Sequence, residues 1–95
     1  MLAPLERLGS LPVIAWTIID ARSRHTGNTR HIVRGGLAGP AAALAICRNG
    51  DDGFHLFSCD EQWQTVSDTW HETVDDAEAQ AEFEYEGVSA TWITV

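Results

Sequence analysis

Residues 41–59 read AAALAICRNGDDGFHLFSC, two apolar runs around an acid- and glycine-rich turn, and their reading decides the fold. Two readings compete for the first run. Pro40, the Ala run and Gly50 suit a short helix, with proline in its first turn and glycine past its end. Leu44, Ile46 and Cys47 also lead straight into Asn49-Gly50-Asp51-Asp52-Gly53 and the strand-like Phe54–Cys59, which suits a β-hairpin, and the hairpin is preferred. In it Arg48 faces Phe54, Cys47 lies near His55 and Cys59 near Ala43. Leu44 and Ile46 stand opposite Leu56 and Phe54 on one face, with Ala43, Ala45, His55 and Phe57 on the other. The two cysteines are then about four residues apart along the sheet, at roughly 3.3 Å per residue. That is beyond disulfide reach, and both are expected to be reduced, half-buried strand residues.

Downstream the pattern continues through a turn at Asp60-Glu61-Gln62 and a strand in QTVSDTWH, residues 64–71. Thr73-Val74-Asp75-Asp76 is a variant capping box, and acids at 72, 75, 76 and 78 suit the positive end of a helix dipole. Val74, Ala77, Ala81, Tyr85 and Val88 recur at helical spacing and define one packing face. The helix is expected over about residues 73–86 and to stop at Gly87, with Phe83 off the packing stripe. Ser89–Val95 reads as a last strand anchored by Trp92.

Upstream, residues 11–20 (LPVIAWTIID) read as a strand. Arg22 to Arg30 suits a hairpin loop with Gly27-Asn28 at its tip, returning into a short strand, Arg30–Arg34, and residues 35–40 form a connector. The expected fold is α+β: a mainly antiparallel sheet of about five to six strands with one main helix packed on one face. All 95 residues fit one domain, with an Arg-rich hairpin region over 1–50 and an acidic β-β-α-β region over 51–95.

Charge divides the chain. All six basic residues are Arg and lie in residues 1–50, which sum to +4; residues 51–95 hold twelve acids and no Lys or Arg, a balance of −12. The halves either create a strong field or fold against each other and neutralise, and compensation is the expected outcome. The acidic half argues against nucleic acid as its partner, since phosphates are repelled. No apolar run is long enough to span a membrane. Glu6 and Arg7 interrupt the apolar stretch that a secretory leader needs, so a cytoplasmic location is expected.

Residues 43–86 resemble the core of HicB-type antitoxins, a β-β-β-α-β module. The resemblance rests on the strand ALAICR, the turn NGDDGF, the strand HLFSCDEQ and the helix start TVDDA, where the family has a similar Thr-Leu-Glu-Glu-Ala. The family's Pro-Asp-Leu-Pro-Gly-Cys turn is replaced here by Cys59-Asp60-Glu61-Gln62-Trp63, and a C-terminal helix-turn-helix or ribbon–helix–helix is not expected. The resemblance implies the module fold and a role in neutralising a protein partner. Residues 68–85 are also similar to stretches of small bacterial proteins.

Chemistry-bearing sets are weak. His55, Cys47 and Cys59 lack the close spacing of a zinc site, and Asp60 and Glu61 disfavour a thiolate at Cys59. Asp68, His71 and Glu72 around Trp70 are as well placed for a turn and a helix start as for acid–base chemistry. No catalytic residue, metal or cofactor is assigned. The expected partner is another protein, with a homodimer as an option and no membrane. Candidate partner-binding residues are Arg22, Arg24, Arg30 and Arg34 of the basic segment, and Glu82, Phe83 and Glu86 of the helix. The alternative is an anionic ligand or RNA on the Arg22–Arg34 hairpin, although no aromatic lies between Trp16 and Phe54 to stack bases.

Overall fold

The computed structural model describes residues 1–33, 36–37 and 39–95. Arg34, together with Gly35 and Ala38 of the expected connector, lies outside the described residues. The strands are β1 (Arg7–Leu8), β2 (Leu11–Ile18), β3 (Arg24–His25), β4 (Ile32–Val33), β5 (Gly36–Leu37), β6 (Ala43–Arg48), β7 (Phe54–Cys59) and β8 (Thr65–His71). Helix α1 (Val74–Glu84) follows, then β9 (Tyr85–Glu86), a 3-10 turn (Val88–Ala90) and β10 (Ile93–Thr94). The fold is α+β, an antiparallel sheet in the order β1-β2-β6-β7-β8 with β10 also on β2.

The 41–59 stretch is a hairpin. Cys47 pairs with His55, Cys59 with Ala43 and Arg48 with Phe54, as the turn length requires. Two pairings differ from expectation: Ile46 faces Leu56 rather than Phe54, and Leu44 stands opposite Ser58 rather than Leu56. Fixing Arg48 against Phe54 forces this, because antiparallel partners step in opposite directions. The face assignment is unaffected.

Leu44, Ile46 and Leu56 meet Ala77, Ala81, Tyr85 and Val88 in one core cluster. Ala77 and Ala81 end at Cβ, so the helix lies close on the sheet. Thr73 caps α1, its side chain accepting the Asp76 amide at 3.0 Å. The helix ends at Glu84, two residues before the expected limit, because Tyr85–Glu86 turn extended and pair with Arg24–His25. Gly87 follows with φ 96°, and a Cβ there would sit 2.9 Å from the Arg22 carbonyl.

Two further expectations are corrected. The Arg22–Arg30 segment is not a free hairpin loop, because its Arg24–His25 pairs with β9, and the expected short strand is present only as Ile32–Val33, which pairs locally with β5. The last strand is only Ile93–Thr94, because the 3-10 turn over Val88–Ala90 occupies the start of the expected span. Thr17 and Thr91, both buried, share a 2.6 Å hydrogen bond that fastens this turn to β2. No helix among the described residues is long and apolar enough to cross a membrane.

Candidate protein-binding surface

The sheet has two faces, and α1 covers only one. A bulge between Val13 and Ala15 shifts β2 so that Ala15 faces the helix while Val13, Trp16 and Ile18 face the other way. Across this open face the register sets rows of side chains. One row runs Ile93, Trp16, Ala45, Phe57 and Asp68; the next runs Val13, Cys47, His55 and Trp70. Its centre, Ala43, Ala45 and Cys47, is itself fully buried, a second small core covered by the partly exposed Trp16, Phe57 and Trp63. At its edges Trp70 is 53% exposed and Ile93 48%.

Local geometry fixes these rings. Asp60 Oδ1 accepts the amides of Gln62 and Gln64, each at 2.9 Å, closing a tight turn. That turn holds Trp63 at φ 61°, a left-handed conformation that is uncommon for an aromatic residue. The Trp63 indole meets Trp16 edge-on at 5.9 Å and donates to the Leu2 carbonyl at 2.8 Å. The first residues of the chain therefore cover one corner of the face, where Leu8 is buried. His55 stacks on Phe57 at 5.6 Å, and its Nδ1 lies 2.8 Å from Asp68 Oδ2. Trp70 lies over the turn, its indole donating to the Asp52 carbonyl.

Acids surround the aromatics: Asp51 and Asp52 in the hairpin turn, Asp60 and Glu61 in the next turn, Asp68 on β8. Of these, only Asp68 has an ion-pair partner among the described residues, His55. The cysteines are chemically silent. Both thiols are pushed up to about 12, Cys47 by burial and Cys59 by burial together with the nearby Cys47 and Asp60. On the helix face, burial lowers His71 despite the pull of Asp76 and Glu84. His71 bonds Thr69, so Asp68, His71 and Glu72 do not converge on one point. No group of three or more metal-ligating side chains exists among the described residues.

The residues singled out from sequence gather partly elsewhere, at the C-terminal end of α1. Arg24 pairs with Glu86 at 3.2 Å, both well exposed, while Arg22 is bound to Asp20 at 2.9 Å. Arg30 is exposed, and Arg34 falls outside the described residues. The basic loop is fastened mainly by neutral groups. Thr26 and Asn28 donate to the Phe83 carbonyl at 2.7 and 3.0 Å, and the Thr26 amide donates to the Glu84 carbonyl at 2.9 Å. These bonds satisfy helix-end carbonyls that lack intrahelical donors. Phe83 is 54% exposed beside them. Glu82 is occupied within the chain, accepting from Gly87 and Ser89, and these bonds hold its carboxyl below its usual value.

The structure adds an arrangement that the sequence did not suggest. Buried Glu84 accepts or shares a 2.6 Å contact with His31 Nε2 and takes a hydrogen bond from Gln80 at 2.9 Å. His31, with Tyr85, Ser58 and Ser67, borders a cavity of about 330 Å³. Gln80 and Glu84 are four apart on a helix, a visible spacing, but nothing in sequence places His31 against them. Charge compensation between the halves is accordingly sparse: Arg24–Glu86 is the Arg–carboxylate pair that joins them among the described residues, and His31 meets Glu84 by a 2.6 Å hydrogen bond.

Comparison with protein-family models, with curated proteins and with solved structures found no match.

Proposed function

We propose that this chain is a non-enzymatic protein-binding domain, an antitoxin- or immunity-like neutraliser acting in the cytoplasm on a basic partner. The observation that carries the reading is the open sheet face, where Trp16, Phe57, Trp63, Trp70 and Ile93 form an aromatic surface within a rim of acids. Aromatic residues are enriched at interface centres, and a rim of one sign selects partners of the other. The unneutralised acids of residues 51–95 and the HicB-like layout of residues 43–86 support the same reading.

The test is affinity purification of the chain from its native host at low salt, followed by the same capture with Trp70→Ala/Ile93→Ala. Both side chains are about half exposed, and a circular-dichroism melt of the double variant checks that it still folds without the Trp70–Asp52 hydrogen bond. A basic protein retained by the parent and lost with the double variant or with rising salt is the expected result. Equal retention by both forms sinks the open-face reading. An anionic ligand on the Arg segment is less supported, because Arg22 and Arg24 already face Asp20 and Glu86.

A further inference from the structure

We infer that β8 is a docking edge, to which a basic extended segment of the partner adds as the next strand of the sheet. This rests on the protein-binding reading and names the partner's form. Strand β8 is seven residues long and, among the described residues, pairs only with β7. Alternate backbone N–H and C=O groups along such an edge point outward and are open to another chain.

Sheet edges are ordinarily protected by shortness, proline, lysine, inward-pointing charge or bulges. Strand β8, TVSDTWH, has no proline and no lysine, and its one acid, Asp68, is engaged by His55 at 2.8 Å. A bulge at Val66 interrupts the pairing near its start and leaves Ser67–His71 as the regular edge. Val66 and Trp70 are 41% and 53% exposed, and Trp70 shares the open face with Asp68. An incoming strand therefore finds main-chain hydrogen bonds along the edge and apolar side chains near both its ends, the two components of strand addition.

Charge decides the occupant. Asp60 and Glu61 stand before β8, and Glu72, Asp75 and Asp76 follow it. None of these five has an ion-pair partner among the described residues. A second copy of this chain would bring another net −8 and a second set of the same acids to the edge. A segment with Arg or Lys at its ends and apolar residues between matches both the acids and Val66 and Trp70.

The experiment uses the isotope-labelled full chain and a synthetic seven-residue peptide that alternates Val with Thr and carries Arg at both ends. A second peptide is identical but N-methylated at alternate amides, which keeps charge and side chains and removes donors. Expected are slowed hydrogen exchange at alternate amides of residues 67–71 on adding the first peptide, and about tenfold or greater weakening with the second. Equal binding of the two peptides, no binding at all, or binding that shifts the Trp16 and Trp63 indole signals without protecting β8 overturns strand addition. So does a β8-protected dimer without peptide. Each of these leaves the capture result with Trp70→Ala/Ile93→Ala standing, so the two readings fail separately.

Discussion

The Glu82 carboxylate accepts hydrogen bonds from both the backbone amide and the hydroxyl of Ser89, and from the Gly87 amide at 2.8 Å. One side chain from the last turn of α1 thus closes the connection into the 3-10 turn, whose Val88 is fully buried in the core.

These bonds lower the Glu82 pKa relative to its ordinary 4.5. A carboxyl whose folded pKa is depressed stabilises the fold above its unfolded pKa and loses that contribution as pH falls through the folded value. Glu82→Ala is expected to cost about 1 kcal/mol at neutral pH, the bonds being near solvent. Urea denaturation should show the variant and the parent converging below pH 4.5, where the parent loses this contribution. A constant difference down to the lowest pH would refute the assignment.

Thr73→Ala removes the cap of the Asp76 amide. The expected loss is about 1 kcal/mol, and Thr73→Ser should recover most of it. Denaturation midpoints of the three proteins measure this.

Gly53 adopts φ 84°, and a Cβ there would lie 2.6 Å from the His71 carbonyl and 2.7 Å from the Trp70 ring. Gly53→Ala combines a strained backbone with a clash against backbone, so it should destabilise by more than about 1 kcal/mol. Trp70 fluorescence should change with it. An unaltered midpoint and spectrum would show that the ring does not rest on this turn.

The thiols are buried, and both are pushed up to about 12. At pH 8 a thiol-specific reagent should label neither cysteine in the folded chain and both in urea. Rapid labelling of the native protein would contradict the packing of Cys47 and Cys59 between the sheet's aromatics.

The hairpin and the helix were legible for local reasons. A five-residue turn sets the register of Ala43–Cys59, and strand alternation separates Leu44 and Ile46 from Ala43, Ala45 and Cys47. Thr73 and the spacing of Ala77, Ala81 and Tyr85 likewise carry the helix start and its buried face within a dozen or so residues. The candidate surface was half legible. Phe57 and His55 could be assigned to the face opposite Leu44, but the sequence gives no sign that the helix leaves that face open.

The sequence by itself determined the turn, the cap, the packing stripe and the division of charge, because each depends on neighbours along the chain. Only the tertiary structure decided that β2 lies between β6 and β10, that Trp63 folds back on Trp16, and that Thr26 and Asn28 bind the end of α1. The loop from Arg22 to Arg30 has no apolar periodicity, so its place is set by unpaired helix-end carbonyls more than fifty residues away. The Arg and acid halves meet at few ion pairs for the same reason: backbone hydrogen bonds and apolar burial choose the strand order, and exposed charges settle around the result.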